Sequence, residues 1–285
     1  MTSPTIGSLR VDGATLRYEV RGSGPLLLLI PGGTGGAASF DGVADDLAAD
    51  HTVASYDPRG MSGSLLDDPE APQRVERHAD DAFRLLELLS PGAPARVAAC
   101  SSGAIVALHL LTTRPERIER VVAHEPPMVE VLPDAAEHRA MLARVQDTLR
   151  REGLMPAAAV FAAGLSRPGA EPAAPPADPR AAIAELPPEA RARVERTMAN
   201  MPYFLGRIVP SFMAYTPDLD RLEALSDRLV LAAGTDSRGE LPYRPAALLA
   251  ERFGTELVHF PGGHTGLSTH PAAFGELLRK VLALP

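Results

Sequence analysis

The segment that most limits how this chain can fold is Val97-Ala98-Ala99-Cys100-Ser101-Ser102-Gly103-Ala104, an apolar run passing through small residues into a helical pattern. A strand that becomes a helix within a residue or two makes a sharp, strained bend, and a bulky side chain there would strike neighbouring backbone. The spacing is small-x-Ser-x-small, with Ala99 in the place of the first glycine of G-x-S-x-G. It predicts that Ser101 is pushed out at the carboxyl edge of a sheet. Serines also cap helices by accepting backbone N–H groups, so this segment alone leaves a capping role for Ser101 and Ser102 open.

The surrounding pattern is one of alternation. Residues 7–11, 14–21 and 26–30 read as strands, with Asp12-Gly13 a tight hairpin turn between the first two; a helix over 39–49 and a strand over 52–56 follow. Then come an amphipathic helix over 75–89, a strand over 96–99, a helix over 102–113 and a strand over 120–124. The alternation resumes with a strand over 228–232, a helix over 244–253 closed by Gly254, a strand over 256–260 and a last helix started by Pro271. Eight strands interleaved with helices imply an α/β fold whose mostly parallel sheet is covered on both faces. Between 126 and 219 helical periodicity is broken by Pro168, Pro172, Pro175, Pro176, Pro179, Pro187 and Pro188, which predicts a helical cap inserted into the core. The chain thus divides into a core part over 1–125, the insertion over 126–219 and a second core part over 220–285, with no internal repeat.

Charge and cysteine content narrow the chemistry. Acids outnumber Lys and Arg 36 to 28 and no basic stripe is present, which argues against a nucleic-acid partner. Cys100 is the single cysteine, so neither a disulfide framework nor a thiolate zinc cage can form within the chain, and no metal or other cofactor is expected. The first ten residues lack the charged start and apolar run of a signal peptide. No apolar run nears the roughly 20 residues needed to span a bilayer. The expectation is a cytoplasmic protein without a membrane partner.

A serine hydroxyl is a poor nucleophile until a base takes its proton, and that base needs a carboxylate to fix its tautomer. Among the eight histidines, His264 ends Val258-His259-Phe260-Pro261-Gly262-Gly263-His264, a glycine-rich turn just past the last strand. His109 lies in an apolar helix, His259 in a strand and His270 at a helix start, while His51, His78 and His138 sit in polar helical or loop contexts. Two carboxylates qualify as the acid: Glu125, ending the strand after the bend, and Asp236, in Gly234-Thr235-Asp236. Adjacent strands lie roughly 4.8 Å apart, so both come within reach of a mobile histidine loop, and spacing does not choose between them. Each also has an ordinary alternative, a solvated acid before Pro126-Pro127 and a turn-capping aspartate.

Pro31-Gly32-Gly33-Thr34-Gly35-Gly36 after the third strand forms the expected opposite wall, with the Gly33 and Ser102 N–H groups as donors to an oxyanion. The same residues read as G-x-G-x-x-A over 33–38, with Asp57 after the next strand, which is also a pattern for NAD binding. Two strands precede it, however, and a dinucleotide site would leave both Ser101 and the His264 turn unexplained.

The chain resembles the α/β-hydrolases, and within them the lactone hydrolases that open the macrocyclic ester of zearalenone. The resemblance rests on Tyr56-Asp57-Pro58-Arg59-Gly60-Met61-Ser62-Gly63-Ser64, Cys100-Ser101-Ser102-Gly103-Ala104, His124-Glu125-Pro126-Pro127, Pro261-Gly262-Gly263-His264 and Ser268-Thr269-His270-Pro271. It implies the α/β-hydrolase fold, with Ser101, His264 and the glutamate of the H-E-x-P segment, Glu125, as a catalytic triad acting through an acyl-enzyme. Many members of the fold place the acid three residues after the glycine at 234, where this chain has Ser237. The fungal lactonases set a cap tryptophan against the substrate; this chain has none, and Phe204 in Met201-Pro202-Tyr203-Phe204 stands at a comparable place.

The expected substrate is a small apolar ester or lactone. Gly32, Met201, Tyr203 and Phe204 are the candidate contacts, and Phe212, Met213 and Tyr215 are further apolar residues that either line the pocket or seal the cap. Other triad chemistries of the fold, carbon–carbon bond hydrolysis and cofactor-free haloperoxidation, stay open, as does a ligand receptor of slow turnover. A serine at 101 disfavours dehalogenase and epoxide-hydrolase chemistry, whose relatives use aspartate. The oligomeric state is left open, a homodimer included.

Overall fold

The computed structural model describes residues 3–167, 169 and 184–283. Its centre is one sheet of nine strands: β1 (Thr5–Val11), β2 (Ala14–Arg21), β3 (Leu26–Ile30), β4 (Thr52–Tyr56), β5 (Leu65–Leu66), β6 (Ala95–Cys100), β7 (Ile118–His124), β8 (Leu229–Gly234) and β9 (Val258–Phe260). The order is β1-β2-β4-β3-β6-β7-β8-β9, with β5 paired to β2. The pairings of β1 with β2 and of β2 with β4 and β5 are antiparallel; those from β4 through β3 to β9 are parallel. Two residues of β5 are too short to carry a period-two pattern, which is why eight strands were expected and nine are seen.

Strand β3 shows how the sheet is buried on both sides. Successive side chains of a strand face opposite ways. Leu26, Leu28 and Ile30 join one apolar cluster with helices α2 (Val75–Leu89) and α3 (Ser102–Thr113). Leu27 and Leu29 join another with Phe40, Val43, Leu47, Phe274 and Leu278 on the opposite face. All five residues of β3 are buried. Helix α2 buries Val75, His78, Ala79, Ala82, Leu85 and Leu86, one face at spacings of three and four. Helix α3 is apolar nearly all round and buried from Ser102 to Leu108, as befits a helix pressed against the sheet and flanked by other elements.

On the opposite face lies α1 (Asp41–Leu47), entered through a 3₁₀ turn Ala37–Phe40 where one helix over 39–49 was expected. Between β7 and β8 run α4 (Ala135–Arg151), α5 (Leu154–Leu165), α6 (Pro188–Tyr203), a π-helical turn Phe204–Ile208, α7 (Val209–Phe212) and α8 (Leu219–Glu223). Of the prolines that marked this stretch, Pro168, Pro172, Pro175, Pro176 and Pro179 lie outside the described residues. Pro187 and Pro188 open α6, where a missing N–H costs nothing. Helix α9 (Tyr243–Phe253) stops at Gly254, which takes the left-handed φ of 65° expected of a helix-ending glycine. Helices α10 (Gly266–Thr269) and α11 (Pro271–Leu282) complete the described chain. Among the described residues no helix is long and apolar enough to cross a membrane.

Candidate active site

Ser101 sits where β6 ends and α3 begins, with φ 53° and ψ −125°, a conformation that L-residues rarely adopt. Such strain persists only where surroundings enforce it. Here the Ser101 N–H is held by the carbonyl of His124 on β7 at 2.8 Å. A side chain at Gly103 would strike the backbone of Ile30 and Pro31, so the close approach of β3 to the bend requires glycine. Three non-glycine residues have positive φ among those described, namely Ser62, Ser101 and Glu125. Two of them end adjacent parallel strands.

Glu125 follows β7 directly, and its N–H donates to the Ala232 carbonyl of β8 at 2.9 Å. The side chain is fully buried. One carboxylate oxygen accepts the Gly234 N–H at 2.8 Å and the Ser237 hydroxyl; the other lies 2.6 Å from His264 Nδ1. Burial pushes the Glu125 pKa up, but the hydrogen bonds from His264 and Ser237 oppose this and the balance lies below the ordinary glutamate value. His264 Nε2 lies 3.1 Å from Ser101 Oγ. With Nδ1 donating to the carboxylate, Nε2 is the nitrogen free to accept the serine proton. A Cβ at Gly234 would collide with Gly262 and Gly263, so glycine at the end of β8 lets the His264 loop lie close enough.

Asp236, the other carboxylate considered, is exposed. Its Oδ1 accepts from its neighbour Thr235 at 3.2 Å, and its backbone bonds to Gly262 and Arg167. The place three residues after Gly234 belongs to Ser237, which feeds a proton donor into Glu125 instead of supplying a carboxylate. The Gly33 N–H, expected to stand ready for an oxyanion, donates to the Ser102 hydroxyl oxygen at 2.9 Å. Asp57, the acid of the dinucleotide pattern, is buried and accepts the Ala37 and Gly63 N–H groups at 2.9 and 3.0 Å. Its carboxylate is therefore committed to the fold, and the 3₁₀ turn after the glycines presents no long helix N-terminus to a pyrophosphate.

Ser101, Ser102 and His264 open into a cavity of about 400 Å³. Met201, Phe204, Phe212 and Met213 of the expected apolar set line it, joined by Phe161 and Leu165, which sequence patterning did not single out. Tyr203 and Gly32 do not line it. The Tyr203 ring lies against Gly60, and its buried hydroxyl has no hydrogen-bond partner among the described residues. Gly32 is packed against Cys100 and Ser101, where a side chain would collide with both, so the close approach there requires glycine. Tyr215 bonds to His109 Nδ1 at 2.7 Å and ties the chain between α7 and α8 to α3.

Comparison with known proteins agrees with this architecture. A family model described as the alpha/beta hydrolase fold matches residues 25–221. The chain belongs to the α/β-hydrolase family. Among its relatives, YraK, an uncharacterized hydrolase of Bacillus subtilis, is 34% identical, the match covering 97% of this chain and 95% of YraK. A zearalenone hydrolase of Cladophialophora bantiana is 28% identical over 96% of each chain. Among solved structures, a hydrolase from Pseudomonas aeruginosa PA01 superposes with a TM-score of 0.69 at 26% identity, covering 98% of this chain and 99% of that one.

A larger cavity in this α/β-hydrolase, about 650 Å³, lies beyond the 33–36 loop, lined by Arg17, Glu19, Asp57 and Arg196 among others. It contains neither Ser101 nor His264, so the smaller apolar one is the candidate site. Thr34 borders both. The partition is held by Asn200 of α6, a residue sequence patterning passed over. Its Nδ2 donates to the Thr34 carbonyl at 2.8 Å and to Ser62 Oγ at 3.0 Å, while its Oδ1 accepts the Ser62 N–H at 2.9 Å. One buried amide thus ties α6 to the loops that hold Thr34 and Ser62, at sequence separations no local pattern reveals. Replacing it removes all three of these hydrogen bonds. Asn200→Ala is expected to cost about 1–3 kcal/mol, and to lower Tm by roughly 2–4 °C for each of those. Calorimetry that found the variant as stable as the wild type would show that the clamp contributes nothing.

Proposed function

We propose that this α/β-hydrolase is a serine hydrolase that cleaves an apolar carboxylic ester or lactone through an acyl-enzyme. The observation that carries the proposal is the unbroken series of contacts from Ser101 through His264 to buried Glu125, opening into a cavity with apolar walls. Ser101 Oγ attacks the carbonyl carbon as His264 Nε2 takes its proton. The imidazolium that results is steadied by Glu125, whose carboxylate accepts from Nδ1–H. Negative charge on the carbonyl oxygen falls beside the Ser102 N–H, at the positive end of α3. His264 returns the proton to the departing alkoxide, which leaves an acyl-serine. Water, deprotonated by the same imidazole, then releases the acid. In a lactone the alcohol is part of the acyl chain and stays joined to it throughout, so the second step breaks only the bond to Ser101 and releases a single hydroxy acid.

The segment over 126–219 acts, on this reading, as a cap that brings Phe161, Phe204 and Met213 over the serine. No Asp, Glu, Lys or Arg lines the cavity among the described residues, so an uncharged substrate body is expected. The likeness to a zearalenone hydrolase along almost the whole chain supports lactones as the first substrates to try, with Phe204 taking the place of an aromatic contact. The test is turnover of p-nitrophenyl esters of increasing chain length and of lactones, zearalenone among them. Each added methylene should raise kcat/KM about four-fold until the cavity is full, and an acyl chain ending in a carboxylate should be rejected. Tight binding of these compounds without turnover would favour a receptor and overturn the proposal.

A further inference from the structure

The two expected oxyanion donors are arranged in an unexpected way. Gly33, with φ 56°, directs its N–H not into open cavity but onto Ser102 Oγ at 2.9 Å. The acceptor lies about where a carbonyl oxygen would have to lie to use that N–H itself. Ser102 is buried, borders the cavity and is the first residue of α3. Its hydroxyl donates to nothing among the described residues, although serines in helices often donate back to a carbonyl of the preceding turn. A hydroxyl that accepts with one lone pair keeps its proton available for another partner.

We propose that the Ser102 hydroxyl is itself an oxyanion donor, held in place and polarised by the Gly33 N–H. The inference rests on the serine-hydrolase proposal and adds a side-chain donor to it. When Ser101 Oγ bonds to the carbonyl carbon, the π electron pair moves to the oxygen. That oxygen accepts the Ser102 backbone N–H and Ser102 Oγ–H. Gly33 remains bonded to Ser102 Oγ, and no proton leaves the hydroxyl. Accepting a hydrogen bond from Gly33 makes Oγ–H a better donor, because linked hydrogen bonds polarise one another. The serine after the nucleophile would then contribute through both its backbone and its side chain.

The experiment compares wild type with Ser102→Ala, which keeps the backbone N–H and removes only the oxygen. The expected loss in kcat on a short p-nitrophenyl ester is about 10- to 100-fold, below the full effect of losing a donor because the freed Gly33 N–H compensates in part. KM should stay within about two-fold. Affinity for an alkyl boronic acid, which forms a tetrahedral adduct on Ser101, should fall in parallel with kcat, while affinity for the amide of the same acyl chain should not. Ser102→Cys, of similar shape with a weak donor, should show the same pattern at smaller size and serves if the alanine variant does not fold. A Ser102→Ala enzyme with unchanged or raised kcat would mean that the hydroxyl only occupies Gly33 and would overturn the inference. So would equal losses for boronate and amide, which would mark a structural role. A wild type that neither turns over esters nor binds the boronate refutes the serine-hydrolase proposal itself.

Discussion

Ser101→Ala is expected to lower kcat on a p-nitrophenyl ester by about 10^5- to 10^6-fold, the scale seen when the nucleophile of a serine–histidine pair is removed. The size follows from what remains. His264 keeps its bond to Glu125 and the oxyanion donors keep their places, but no atom is left to form the acyl-enzyme. Residual rate would come only from water activated near the imidazole. Binding should hardly change, because one hydroxyl contributes little to a cavity walled by Phe161, Phe204, Phe212 and Met213. Rates need measuring with a substrate-matched inhibitor constant, so that loss of chemistry is separated from loss of fold. A variant keeping more than about one per cent of wild-type kcat would remove Ser101 from the mechanism.

The second large effect concerns the acid. Glu125→Gln has the shape of the original, yet kcat should fall about 10^4-fold. A glutamine can still accept from Gly234 and Ser237 through its oxygen, which turns its NH2 toward His264 Nδ1. That nitrogen must then accept, the proton moves to Nε2, and the imidazole can no longer take the proton of Ser101. Asp236→Asn should leave kcat within about two-fold, since an exposed side chain bonded to its own neighbour has no route to the histidine. Should the asparagine variant be the inactive one, the acid has been assigned to the wrong strand.

The two carboxylates show where sequence patterning stops. Ser101 and His264 were legible because each stands at a local signal: small residues between an apolar strand and a helix, and a glycine-rich turn after a strand. Glu125 and Asp236 both follow strands, and nothing within a few residues of either separates them except the resemblance to known lactonases. Strand order separates them. With β7 between β6 and β8, Glu125 lies beside the serine, and Gly234 and Ser237 from the next strand close over its carboxylate. Tyr203 and Phe204 are neighbours in the chain, yet one lies against Gly60 and the other lines the cavity. A proline at 202 and the π-helical turn that follows set which face each presents, and no 3.6-residue period foretells that.

Sequence alone determined the class of fold, the order of strands and helices along the chain, and two of the three residues in the hydrogen-bonded series. These follow from periodicity and backbone stereochemistry, which act over a few residues. Spacing left two carboxylates open and the resemblance favoured Glu125; tertiary structure is what sets Glu125 against His264, and it alone revealed the Ser237 and Gly234 bonds, the Asn200 clamp and the engagement of Gly33 by Ser102. These bonds join atoms 69 to 166 positions apart, brought together only when parallel strands settle in register and the helices between β7 and β8 pack onto the core.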